Sequence, residues 1–230
     1  MKTKLSALFG ALVILISVYS APAMSFSIGV GVSGGAGHVE VKGKENLQSV
    51  QESTATEDAQ GGFGSVYVQA WIGEEMFGEG NGLVIGYEQV VGEATLNGER
   101  TEVSNIISIV GATETGRQYA EAVVDNINTV FVETPALFGL YLRAGWSEMD
   151  ITTNEELFTG GTYGNTTSDG ATYGFGFRSK ASRGFQTKVE FNYTDWDKVT
   201  LTNTNDSAAD TIVTATPEVW SAKIAVGYNY

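Results

Sequence analysis

The chain has 230 residues, no cysteine, one histidine and a formal charge of −14 at pH 7. Without cysteine it has no disulfide, thiolate metal ligand, cysteine nucleophile or lipidated cysteine, and one histidine excludes histidine-rich metal sites; so acidic a chain also argues against nucleic acid as a partner. Apolar residues make up 42% against only 3 prolines, which sets it apart from disordered acidic proteins.

In chain order, Met1–Ala23 comes first. Lys2 and Lys4 precede an apolar stretch from Leu5 to Val18 and the small-residue sequence Ala21-Pro22-Ala23. This is the layout of a secretory signal cleaved after Ala23, leaving 24–230 as one domain. Loss of the two lysines takes the formal charge from −14 to −16. No later segment approaches the ~20 apolar residues of a spanning helix, so a membrane form must be a barrel.

Period-two alternation predicts strands over Phe26–Val41, Gly62–Gly73, Gly82–Val91, Phe138–Ile151, Ala171–Ser179, Phe185–Trp196 and Val219–Tyr230, with a weaker eighth over Val123–Glu133. Long polar connections near Lys42–Gly61, Gly92–Ala122, Thr152–Gly170 and Asp197–Glu218 take turns with short ones near Glu74–Asn81, Thr134–Leu137 and Lys180–Gly184. Outer-membrane barrels show this asymmetry, with short turns in the periplasm and longer loops outside. The predicted fold is all-β, an eight-stranded antiparallel up-and-down transmembrane barrel with both chain ends periplasmic. If the run Val103–Val110 forms a further hairpin, the barrel has ten strands instead.

One face of these strands collects Ile28, Val30, Val32, Leu140, Leu142, Tyr173, Phe175, Phe177, Val189, Phe191, Ile224 and Val226, and carries no charge. The other collects Glu88, Arg143, Arg178, Lys188, Glu190 and Lys223 among glycines, serines and asparagines. Alternation alone does not say which face is enclosed, but two features place the charged face inside. Aromatic residues recur eight positions apart on the apolar face, as Phe138 with Trp146, Phe185 with Tyr193, and Trp220 with Tyr228. Eight residues of tilted strand rise roughly 20 Å, close to the ~25 Å between the aromatic girdles of a barrel. The chain also ends Trp220-Ser221-Ala222-Lys223-Ile224-Ala225-Val226-Gly227-Tyr228-Asn229-Tyr230. With Ile224, Val226, Tyr228 and Tyr230 on one face, this resembles the C-terminal assembly signal of outer-membrane barrels.

Three further segments, Gly139-Leu140-Tyr141-Leu142-Arg143-Ala144-Gly145-Trp146, Tyr173-Gly174-Phe175-Gly176-Phe177 and Lys188-Val189-Glu190-Phe191-Asn192-Tyr193-Thr194-Asp195, complete a likeness. The chain resembles the OmpA/OmpX-like family of small outer-membrane proteins over nearly all of its mature length. That resemblance implies a monomer in the bacterial outer membrane, without cofactor. Its partners would be outer-membrane lipid and lipopolysaccharide, and, during biogenesis, periplasmic chaperones and the barrel assembly machinery. The family includes structural anchors, adhesins, complement-evasion proteins and narrow pores, so the likeness specifies architecture better than function.

The lumen of an eight-stranded barrel is just wide enough for side chains to fill, so Glu88, Arg143, Arg178, Lys188, Glu190 and Lys223 are expected to form an ionic plug in which each charge has a partner. The functional alternative is a gate built on Glu88, Arg143, Lys188 and Glu190 whose pairs exchange to admit ions. In that case Lys188→Ala or Arg143→Ala changes conductance while leaving folding intact.

His38 beside Glu40 has no nucleophile at a useful spacing, and no catalytic residue is expected. Asp195, Asp197, Asp206 and Asp210 could gather a hard cation, but they match no calcium motif and read as a solvated acidic loop, so no metal site is expected. Gly29-Val30-Gly31 and Gly34-Gly35-Ala36-Gly37 superficially suggest a phosphate loop but lack the Gly-Lys-Ser/Thr that would complete one. Three functions remain: a structural or surface-interaction barrel working through its external loops toward an unspecified ligand, a narrow porin-like channel, and a lipid-modifying enzyme. The first leads, and the protein is not expected to be an enzyme.

Overall fold

A computed structural model describes residues 26–47, 51–78, 81–96, 106–107, 113–114, 119–156, 162–179, 184–204 and 212–230. The predicted signal sequence lies outside them. The elements are β1 (Phe26–Leu47), β2 (Gln51–Ile72), a one-turn helix α1 (Glu74–Phe77), β3 (Leu83–Val91), β4 (Ala94–Leu96), β5 (Ile106–Ile107), β6 (Thr113–Glu114), β7 (Tyr119–Glu133), β8 (Leu140–Glu156), β9 (Thr166–Arg178), β10 (Gly184–Trp196), β11 (Val199–Thr202) and β12 (Ile212–Asn229).

The wall runs β1-β2-β3-β7-β8-β9-β10-β12, each neighbour antiparallel, and closes where β12 pairs with β1. The short β4 and β11 continue β3 and β10 past brief interruptions, pairing with β7 and β12. The barrel therefore has eight strands. β5 and β6 form a separate two-residue ladder outside it, so Ile106 and Ile107 do not enter the wall as a ten-stranded barrel would require. The rest of Val103–Val110 lies outside the described residues.

Following paired residues once around the wall fixes its shape. Val30 pairs with Val68, and the row continues through Tyr87, Val130, Trp146, Ala171, Asp195 and Glu218 to Glu40, ten residues along β1 from its start. Eight strands with this shear tilt by about 40° and enclose a wall of about 8 Å radius.

The apolar face points outward. Ile224 is 62% exposed and Phe175 47%, whereas Arg143 and Glu190 on the opposite face are 6% and 1% exposed. A soluble barrel would have the reverse. The uncharged exterior between two aromatic rows, with the charges enclosed, is that of a protein whose solvent is lipid. This is an outer-membrane β-barrel.

Three stretches read as loops are strand for much of their length. β1 and β2 remain paired out to Leu47 and Gln51, so Lys42–Gly61 is mostly hairpin. β8 reaches Glu156 and β9 begins at Thr166, while β11 and the outer part of β12 occupy much of 197–218. The reason is physical: beyond the membrane both faces of a hairpin meet water, so no apolar alternation marks it, yet its ladder continues from the wall. Gly29–Gly37 is likewise plain strand rather than a phosphate loop. Gly31 leaves room for the Tyr67 ring and Gly86 for the Phe131 ring, each of which a Cβ would strike, and so the aromatics lie flat against the inner wall.

The charged lumen as candidate functional site

Alternation along six strands aims charge at one level of the lumen. β3 supplies Glu88, β7 Glu133, β8 Arg143, β9 Arg178, β10 Lys188 and Glu190, and β12 Lys223, all 7% exposed or less. Arg143 sits at the centre. Its Nη2 donates to Glu88 Oε2 at 2.5 Å and its Nη1 to Glu190 Oε2 at 3.0 Å, so one guanidinium bridges carboxylates on two different strands. Its Cζ lies 3.7 Å from the centroid of the Phe131 ring. Lys223 Nζ completes the knot, at 2.5 Å from Glu88 Oε2 and 2.9 Å from Glu190 Oε2.

A second knot forms around Glu133. Arg178 Nη1 donates to Glu133 Oε2 at 3.0 Å, and Lys188 Nζ donates to Glu133 Oε1 at 2.8 Å and to Gln69 Oε1 at 2.6 Å. Lys188 Nζ is also 3.9 Å from Glu190 Oε1, and Arg143 Nη1 is 3.7 Å from Glu133 Oε1, so the knots are one network. Arg178 Nη2 donates to the carbonyls of Gly82 and Thr134, each at 3.1 Å. In this network Glu88, Glu133 and Glu190 face Arg143, Arg178, Lys188 and Lys223, one positive charge in excess; the carbonyl oxygens at Arg178 help to meet it.

All six predicted lumen residues lie in this network. Missed by the sequence reading were Glu133, which holds half of it, together with Tyr141, Ser65 and Gln69. Tyr141 donates to Glu190 Oε1 at 2.6 Å and Ser65 to Glu88 Oε1 at 2.5 Å. Register alone could have found Glu133, because it stands directly opposite Arg143 across the β7–β8 ladder.

Above and below the charges the lumen changes character. Toward the chain termini lie Trp71 and Val84, packed against the Phe131 ring on which Arg143 rests. Toward the long hairpins comes a row of hydroxyls linking four strands: Thr129 to Ser147 at 2.8 Å, Ser147 to Thr172 at 2.8 Å, and Thr172 to Thr194 at 2.9 Å. Beyond it Val124, Met149, Ile151, Trp196 and Val199 form an apolar cluster. Two irregularities flank this cluster, the register shift between Asp125 and Asn128 in β7 and the interruption between β10 and β11. Such defects re-aim neighbouring side chains.

On the exterior, Phe185 packs edge-on against Tyr228 at 5.5 Å, and Tyr193 lies 4.5 Å from Trp220. Each is a cross-strand pair in register on β10 and β12. Trp146 faces outward near the second row, and Phe138, on the chain-terminus side, is 96% exposed. Ile224, Val226, Tyr228 and Tyr230 share the outward face of the last strand.

His38 faces outward with Nε2 at 3.9 Å from Asp58, and its neighbour Glu40 pairs with Lys42 at 3.0 Å. Asp195 and Asp197 are described, whereas Asp206 and Asp210 lie outside the described residues. Among the described residues no group of three or more His, Asp or Glu side chains is placed to hold a metal ion.

No protein-family model matches this chain, and no curated protein does. Among solved structures it is similar to the outer membrane protein OprG from Pseudomonas aeruginosa, at 13% identity and a TM-score of 0.46, over 90% of this chain and 97% of that one. It is also similar to the outer membrane protease OmpT from Escherichia coli, at 11% identity and 0.45, over 91% and 99%. Ail, the attachment invasion locus protein of Yersinia pestis, in complex with the heparin analogue sucrose octasulfate, gives 10% and 0.40 over 88% and 99%. These likenesses are slight, and it is the lipid-facing exterior and charged lumen described above that make this chain an outer-membrane barrel.

Proposed function

We propose that this protein is a sealed, non-conducting barrel of the OmpA/OmpX-like kind, which anchors external hairpins for contact with an extracellular partner. The observation that carries this reading is the succession of layers in the lumen. A network of seven charged side chains fills the middle, and the cluster of Val124, Met149, Ile151, Trp196 and Val199 lies on its hairpin side. An ion entering from the hairpin side would first have to shed its water against apolar side chains, then displace paired charges; each step is costly.

The long paired outer strands favour display over transport. They hold extended backbone well clear of the lipid band on a rigid base, the arrangement in which loops carry recognition. In the same reading the protein is a monomer. Its last strand, with Ile224, Val226, Tyr228 and Tyr230 outward, is what the assembly machinery engages, and no catalytic residue is assigned.

Recording from the refolded protein in planar bilayers tests the sealed lumen. The expected trace stays at the bilayer baseline for wild type, and Lys188→Ala or Arg143→Ala alone does not open it. Stable conductance steps in wild type, altered by either substitution, would replace this reading with the porin-like one and its gate at Glu88, Arg143, Lys188 and Glu190.

A further inference from the structure

The lipid-facing wall is not uniformly covered. Gly62, Ala36 and Ala222 lie side by side across β2, β1 and β12, and the next outward residue in that row is Phe191 on β10. Where the wall carries only hydrogen and methyl groups it is sunken relative to the rings beside it. The result is an open groove of about 940 Å³ that continues beneath Phe175 and Tyr173. Its size is that of a small-molecule site rather than of a gap between side chains.

The upper rim differs in chemistry from the floor. Trp220, 58% exposed, is in register with His38, and His38 with Gln60. The His38 side chain is 40% exposed, with Nε2 at 3.9 Å from Asp58 Oδ1. Just beyond stand the carboxylates of Glu40 and Glu218, with Lys42 Nζ between them at 3.0 and 2.9 Å. The rim is therefore an aromatic face, hydrogen-bonding side chains and carboxylates that outnumber the one lysine.

We infer that this groove seats one outer-leaflet glycolipid, its acyl chains over Ala36 and Ala222 and its sugar against Trp220, His38 and Gln60. Lipid is the occupant because the groove is continuous with the wall that the bilayer already covers. A sugar head is selected because hydroxyls donate to carboxylates and to imidazole nitrogen, and the apolar faces of sugars stack on indole. A bare phosphate would meet net negative charge. The inference rests on the lipid-facing exterior and is independent of whether the lumen conducts.

Trp220 is itself the probe. In a Trp146→Phe background it is the only outward-facing tryptophan, since Trp71 and Trp196 are 1% and 5% exposed. The refolded protein is placed in phosphatidylcholine vesicles doped at one low mole fraction with diglucosyl diacylglycerol, phosphatidic acid or phosphatidylcholine, all bearing the same brominated chains, which quench indole fluorescence on contact. The glycolipid is expected to be enriched about fivefold at Trp220 over the other two, the preference that one or two added hydrogen bonds supply. Ala36→Phe with Ala222→Phe fills the groove and removes the preference; His38→Ala with Gln60→Ala removes it while leaving the chain seat. Heat-modifiable migration on gels verifies that each variant is folded. Equal quenching by all three lipids, enrichment of phosphatidic acid instead, or a preference that survives filling the groove each overturns the inference.

Discussion

Glu133 is 0% exposed and is, among the described residues, the only carboxylate that Arg178 touches, with Lys188 on its other side. Glu133→Ala leaves two buried cations facing each other and raises the excess positive charge of the network from one to two. It should destabilise the barrel by about 3–5 kcal/mol, the usual cost of removing one partner of a buried pair. Lys223→Met removes the excess charge, and Glu88 and Glu190 keep Arg143 as a partner. Its cost should be about 1 kcal/mol or less, because an apolar replacement within a buried ionic cluster is often nearly neutral. Reversible unfolding by urea from detergent or thin bilayers measures both, and equal losses would show that charge balance does not govern the lumen. The other six charges were legible from alternation. Glu133 was not, because the shift between Asp125 and Asn128, with Asn126 at φ 49°, breaks the period within the strand that ends in it.

Elements outside the lipid were the hardest to read, and the reason lies in their solvent. Inside the bilayer one face must be apolar, so Tyr173-Gly174-Phe175-Gly176-Phe177 announces a strand. Between Lys42 and Gly61 the described side chains are exposed or half-buried on both faces, and the sequence of Thr, Glu, Ser and Ala carries no apolar period. The outer ends of β1 and β12 are instead joined by Lys42 and Glu218 across the seam that closes the barrel. The Lys42 ammonium holds the Glu218 carboxyl below the usual carboxylate range, and Tyr193 donates to it at 3.2 Å. Because the folded-state value is the lower one, this support is present at neutral pH and is lost as pH falls through the Glu218 titration. The pair is exposed and screened by salt, so the effect should be local. Amide exchange, normalised for the intrinsic effect of pH, should quicken at the outer ends of β1 and β12 in acid while the lipid-band strands stay protected, and Glu218→Gln should remove the difference. An unchanged profile would discard the pair as a clasp.

At the opposite end, Leu137 and Leu140 exchange backbone hydrogen bonds around Phe138 and Gly139, with φ of 54° and 88°. Left-handed geometry at both positions is that of a tight hairpin turn favouring Asn-Gly, and a phenylalanine there is strained. Phe138→Asn should therefore stabilise the protein by about 1 kcal/mol in detergent unfolding. A loss of stability would mean that Phe138 contributes a contact that outweighs its strain.

For the whole molecule, closure and orientation of the two faces follow from a few facts: period two along the strands, aromatic rows eight residues apart, and no helical span. The shear was not legible, since it depends on pairings between strands far apart in sequence, and neither was the apolar cluster on the hairpin side of the charges, which depends on where irregularities turn side chains inward. The lumen network, the display of the hairpins and the outer groove all require greasy side chains facing lipid and ions being enclosed. The absence of cysteine makes that directly measurable, because one introduced thiol at a time can carry a spin label. In vesicles, labels at Phe175 and Ile224 should collide readily with dissolved oxygen and hardly at all with a water-soluble nickel chelate, while a label at Asn192 should be shielded from both. Strong broadening by nickel at Phe175 and Ile224 would show that these strands do not face a bilayer and would contradict the account.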